Sequence, residues 1–210
     1  MLAADIDPAA AERSAELARA VGATAHSYCV DVGDSAAMER FAQWVKSSLG
    51  VPDVVVSNAG IGMAGPMLKT TPQEWERLLR INLWSVIDGC RLFGKQMVEA
   101  GKPGHLVNVA SGVAFAPSRN YPAYATSKAA VLMLSECLRA ELAGNGIGVS
   151  AACPALSIPA SSRPRASPAW MTNNRRNTVP RCSASTVGAA SARTPSANAS
   201  PARWNATSRW

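Results

Sequence analysis

No glycine precedes Gly22 in this chain, so its opening stretch holds no glycine-rich turn of the kind that wraps backbone amides around a pyrophosphate. Acidic residues stop as abruptly, with none after Glu141. Histidine is confined to His26 and His105, apart from any cluster of carboxylates or thiols, which argues against a metal centre. The five cysteines, Cys29, Cys90, Cys137, Cys153 and Cys182, follow neither a ligand spacing nor a disulfide framework. They read as reduced thiols, and the chain as cytoplasmic. No secretory leader, bilayer-length apolar run or internal repeat is visible, so no membrane partner is expected.

What is present divides in two. Residues 1–154 carry thirteen lysines and arginines against fourteen aspartates and glutamates; the eight basic residues beyond them are all arginine and bring the net charge to +7. That tract, residues 155–210, has no lysine, phenylalanine or tyrosine and shows neither a strand nor a helix period. A segment so poor in apolar periodicity cannot offset the entropy of ordering it, and an irregular tail is expected there. Trp204 and Trp210 among arginines resemble a base-stacking, phosphate-contacting surface. The change of character at Ala155 argues for mere tail composition instead, and no nucleic-acid partner is expected.

In residues 1–154 strand-like and helix-like patterns alternate, the mark of an α/β fold with a parallel sheet. Strands are expected near residues 2–5, 25–30, 53–57, 105–109 and 147–152. Helices are expected over Pro8–Val21, Ser35–Ser48, Pro72–Glu99 with a break near Arg80, and Pro122–Ala143. Thr71-Pro72-Gln73-Glu74 marks one start: a capping threonine, proline at the first position and glutamate three residues on. Val54-Val55-Val56 reads as a buried strand running into the tight loop Ser57-Asn58-Ala59-Gly60. Leu106–Val109 closes another strand in Asn108-Val109-Ala110-Ser111, which puts Ser111 just past a strand's carboxyl end, where open α/β sheets place ligands.

The chemistry points to Tyr124-Ala125-Thr126-Ser127-Lys128. On a helix its tyrosine and lysine project from one face, a turn apart. A phenol titrates at about 10 and is inert at neutral pH, but an ammonium beside it favours the phenolate and suits it to acid–base work. The Ser111 hydroxyl can hold a carbonyl or alcohol oxygen next to such a phenol while hydride leaves or arrives on carbon.

With these motifs in this order, the chain resembles the short-chain dehydrogenases/reductases, from residue 1 to about Pro154. The resemblance implies a Rossmann-like doubly wound parallel sheet and an oxidoreductase that moves hydride between a nicotinamide cofactor and a small alcohol or ketone. It implies Tyr124 as acid/base, with Lys128 favouring its ionised form and holding the nicotinamide ribose. Ser111 would orient the substrate oxygen, and Asn82, in Arg80-Ile81-Asn82-Leu83, would hold the water of a proton relay. Asn58, Ala59 and Gly60 would line the cofactor cleft with Ile6 and Pro154, and Asp31 and Val32 would contact the adenine. Asp5 would accept from the adenosine ribose hydroxyls and repel a 2′-phosphate, which favours NAD over NADP. Asp7 is read as a cap for the helix that begins at Pro8. The resemblance also suggests homo-oligomers paired through the long helices Pro72–Glu99 and Pro122–Ala143.

Two departures shape the expectations. The family opens with a strand and a glycine-rich turn, whereas this chain starts at the equivalent of the second strand, so the sheet is expected to be incomplete, lacking the first strand and that loop. At the other end, the family continues Pro-Gly-x-x-x-Thr where this chain reads Pro154-Ala155-Leu156-Ser157-Ile158-Pro159. Permitted codons CCC GCA TTG TCA ATA CCC GCA TCG, given one extra G after the proline codon, read Pro-Gly-Ile-Val-Asn-Thr-Arg-Ile. Residues 155–210 are therefore read as an out-of-frame tail. Three functions remain open: an NAD-linked oxidoreductase with Tyr124 at its centre, an inactive fragment of one, and a nucleic-acid binder acting through its arginine-rich tail.

Overall fold

In the computed structural model the described residues are 1–154, so the expectations for 155–210 lie outside them. Five strands and five helices alternate: β1 (Leu2–Asp5), α1 (Pro8–Ala20), β2 (His26–Cys29), α2 (Ser35–Ser48), β3 (Val54–Ser57), α3 (Pro72–Leu79), α4 (Ser85–Glu99), β4 (Gly104–Val109), α5 (Pro122–Leu142) and β5 (Ile147–Ala152). All strand pairing is parallel, as α/β alternation requires, but it falls into two ladders. β1 pairs with β2 from Leu2↔His26 to Asp5↔Cys29. β4 pairs with β3 on one side and β5 on the other, for example Val55↔Leu106 and Leu106↔Val149. β1 and β3 do not pair, and among the described residues no strand lies between them. The sheet is Rossmann-like and incomplete, as expected.

Local signals set the helix ends. Asp7 accepts from Ala9 N at 2.9 Å and Pro8 occupies the first position of α1; Asp34 serves α2 through Ala36 and Ala37 N. Thr71 and Glu74 form a reciprocal capping box on α3, with Glu74 Oε2 accepting from Thr71 N at 2.8 Å and Thr71 Oγ1 accepting from Glu74 N at 3.3 Å. Such a cap stabilises a helix by about 1 kcal/mol. The break expected near Arg80 is one widened turn, Arg80–Trp84, joining α3 to α4; such π-type turns gather at functional positions because they re-aim a side chain.

One core packs Leu106, Ile147 and Val149 of the β4–β5 pair against Val86, Cys90 and Met97 of α4 and Val131 of α5. A second joins Val30 to Met38, Phe41, Ala42 and Val45 of α2 and Phe93 of α4. Its rings run from Tyr28 to Phe41 at 4.8 Å and from Phe41 edge-on to Phe93 at 5.9 Å. The two ladders are thus joined through α2 on α4 rather than by strand pairing. This corrects the expectation of a buried strand at Val54–Val56: Val54 is 57% and Val56 58% exposed. Among the described residues one edge of β3 is unpaired, and no element covers the face bearing those two valines. No described helix is long and apolar enough to cross a membrane.

Candidate active site

The residues expected to react stand where β4, the turn Arg80–Trp84 and the start of α5 meet. Ser111 follows β4 and is 6% exposed; its Oγ accepts from Val113 N at 3.4 Å, opening a short turn over Gly112–Phe115. Pro154 braces that turn, because Gly112 N donates to its carbonyl at 2.9 Å. Tyr124 is the third residue of α5, after Pro122 at the first position. Lys128 follows one turn later and is 4% exposed. Its Nζ donates to Val109 O at 2.8 Å, at the end of β4, and lies 5.9 Å from the centre of the Tyr124 ring. The ammonium is thus seated on the strand's last carbonyl rather than bonded to the phenol. Burial pushes its pKa below the usual lysine value, because desolvation disfavours the charged form.

Asn82 is fully buried in the widened turn. Its Oδ1 accepts from Ile61 N at 2.8 Å, and its Nδ2 donates to Ile61 O at 2.9 Å and to Ser127 Oγ at 3.2 Å. Ser127 in turn donates to Tyr124 O at 2.7 Å. Asn82 therefore ties the loop after β3 to the turn of α5 that carries the tyrosine. Gly60 closes this cluster. A Cβ there would come within 3.3 Å of Asn82 Oδ1 and 3.4 Å of Lys128 Nζ, so a side chain would crowd both. Ile61 was not singled out from the sequence; an apolar residue after a glycine carries no signal that its backbone will receive an asparagine.

A cavity of about 500 Å³ opens between the two ladders, lined by Asp5, Ile6, Asp31, Val32, Asn58, Ala59 and Gly60, together with Ile61, Arg77 and Ile81. Seven of the expected cofactor-lining residues thus share one cleft. Asp5 uses Oδ1 to accept from Asp7 N at 2.9 Å, and Asp31 uses Oδ1 to accept from Gly33 N at 2.8 Å. The cleft carries the carboxylates of Asp5 and Asp31 and the glycine beside Lys128 Nζ, while Ser111, Tyr124, Lys128 and Pro154 do not line it. Among the described residues it has no glycine-rich amide turn for a pyrophosphate.

The family model described as short chain dehydrogenase matches residues 1–164. The chain belongs to the short-chain dehydrogenase family. Its relatives include the Mycobacterium tuberculosis protein named "Probable oxidoreductase EphD", 49% identical over 150 residues that make up 71% of this chain and 25% of that one. The short-chain dehydrogenase from Burkholderia phymatum in complex with NAD superposes with a TM-score of 0.70 at 28% identity, over 80% of this chain and 64% of that one. A metagenomic short-chain oxidoreductase in complex with NADP gives 0.69 at 30% identity, over 73% and 68%. The chain spans a quarter of EphD and about half the length of other curated relatives it matches. Neighbours of this fold hold either nicotinamide cofactor.

Proposed function

We propose that this chain carries the reactive centre of an NAD-dependent dehydrogenase that interconverts a small alcohol and its ketone, with Tyr124 as the acid/base. The observation that supports it most is the seating of Lys128 on the last carbonyl of β4. One pair of elements thereby presents a cation, a phenol one turn away and, at the strand's end, the Ser111 hydroxyl. A lysine that is 4% exposed costs desolvation energy, and such groups gather at sites of chemistry.

When bound, the cofactor supplies the hydride acceptor or donor. This chain's residues supply the rest. Ser111 Oγ holds the substrate oxygen. The phenolate of Tyr124 takes the alcohol O–H proton as the C–H bond breaks, and the phenol returns it in the ketone direction. Lys128 supplies the cation one helix turn away, its Nζ 5.9 Å from the centre of the Tyr124 ring. Asn82, whose side chain is occupied by Ile61 and Ser127, ties the loop after β3 to the turn of α5 that carries Tyr124, and would hold the water of a proton relay. Asp5 would accept from the adenosine ribose hydroxyls and disfavour a 2′-phosphate. Copies would pair through the long helices, α3 with α4 and α5.

The test is NADH formation at 340 nm by the 210-residue chain with NAD and a panel of secondary alcohols. NAD-dependent turnover that falls by a factor of about 100 or more in Lys128→Ala supports the reading, since acid–base catalysis contributes on the order of 10²–10⁴. Turnover unchanged in that variant contradicts it.

A further inference from the structure

Ser111 and the Tyr124–Lys128 pair belong to β4 and α5, so their alignment depends on how that helix sits on that strand. The buried side chains of α5 are Ala123, Ser127, Lys128, Val131 and Ser135, a small and largely polar set. Leu132, Leu134, Leu138 and Leu142 reach the core only in part. A face with so few large knobs leaves rotation and sliding of the helix weakly fixed by packing.

Directional bonds take over that task. Asn108 on β4 is fully buried and donates Nδ2 to Ser135 Oγ at 3.0 Å; Ser135 donates on to Val131 O at 2.7 Å. The Oδ1 of Asn108 accepts from the buried Cys90 thiol of α4 at 3.4 Å, so the asparagine is engaged on both sides. The next strand residue, Val109, receives Lys128. Because β4 and β5 are parallel, α5 returns antiparallel to β4: the strand climbs while the helix descends. Asn108–Ser135 and Val109–Lys128 are therefore successive rungs between the two elements, with Ser111 and Tyr124 beyond them. Ser135 lies two turns, roughly 10 Å, from Lys128 along the helix.

We infer that Asn108 and Ser135 are positioning residues of this site: their bond sets the axial seat of α5 on β4, and so the height at which Lys128 and Tyr124 stand against Ser111. The inference rests on the proposed roles of Tyr124 and Lys128, but it can be read without turnover. Reductive methylation of the full chain is followed site by site by mass spectrometry, with the rate at Lys128 taken relative to that at exposed Lys95. In Asn108→Ala and in Ser135→Ala, which break one bond from opposite ends, the relative rate at Lys128 should rise by about tenfold, the scale of one lost buried hydrogen bond. Ser135→Thr, which keeps the hydroxyl, should stay within about twofold of the parent, and the near-isosteric Ser135→Val should not. Val131→Ala removes buried apolar volume from the same face without touching the bond, and should lower Tm with little change at Lys128.

Labelling that follows Tm across all the variants, or that is unchanged in both alanine variants, overturns the inference. Should the alanine variants fail to fold, the threonine–valine contrast decides alone, equal labelling counting against. Where the parent turns over substrate, kcat should fall in the two alanine variants with KM nearly unchanged, and not in Val131→Ala. A parent with no turnover sinks the oxidoreductase reading while the labelling still decides this one.

Discussion

The β3–β4–β5 ladder and the β1–β2 pair are both parallel and both flanked by helices, yet they are held in different ways. β4 is paired on both edges and its inner face packs on α4 and α5, so Leu106, Ile147 and Val149 are buried. The β1–β2 pair buries no residue within its strands; its support comes from Ala11 and Ala15 of α1, from Val30 just past β2, and from the rings joining Tyr28 to Phe93. The residues proposed to react, Ser111, Tyr124, Lys128 and Asn82, all belong to the better-packed half, while Asp5, Ile6, Asp31 and Val32, proposed to grip the cofactor, belong to the other. Proton transfer depends on fractions of an ångström, whereas the adenosine end of a cofactor needs only to be gripped. On the proposed function, the tighter packing lies where geometry would decide the rate.

The largest expected effect comes from joining the halves. Among the described residues β1 and β3 each present an open edge to the same cavity. Fusing ahead of Met1 a strand, a glycine-rich turn and a crossover helix should let that strand pair in parallel with both edges and add amides for a pyrophosphate. NAD affinity by calorimetry should rise by about a hundredfold or more, since several charge-assisted hydrogen bonds form together. No gain would show that the gap is not a strand site.

Lys128→Met separates function from stability within the rigid half. Turnover should fall by about a hundredfold. Because burial holds the folded-state pKa of Lys128 below its unfolded value, folding is penalised while the ammonium is charged, and the penalty is lifted as pH rises from the folded value towards the unfolded one. The parent should therefore gain stability over that window and the methionine variant should not, as thermal melts at a series of pH values would reveal. An identical pH slope in both proteins would contradict this.

Asn82→Ala leaves the Ile61 amide and carbonyl without their partner and frees the loop Asn58–Gly60 from α5. A loss of about 1–3 kcal/mol is expected in denaturant melts, with faster hydrogen exchange at Ile61. Unaltered exchange there would remove the asparagine from its linking role. The smallest effect belongs to the looser half. Asp5→Asn should shift the NAD to NADP preference by several-fold through loss of charge repulsion, with the alcohol-dependent step untouched; an unchanged preference would place the ribose elsewhere.

Much of this was readable in the sequence, because the signals were local. The termini of α2, β1 and β5 coincide with the expected ones, and Thr71–Glu74 and Asp7 cap as their residue types suggest. The break at Arg80 proved to be the widened turn that aims Asn82 inwards. What was not legible depends on which element covers which. Three valines in a row look alike whether a helix lies over them or not, so the exposure of Val54 and Val56 had no local sign. Nor does Tyr-x-x-x-Lys spacing tell whether the lysine bonds to the phenol or, as here, to the carbonyl of Val109.

Tyr124→Phe removes the transferable proton and keeps the ring. Turnover and NAD affinity measured side by side on this one variant should separate: turnover lower by a factor of about 100 or more, and the Kd for NAD within about threefold of the parent. Turnover that survives the substitution, or turnover and affinity falling together, would contradict the assignment of Tyr124 as the acid/base held by β4 and α5.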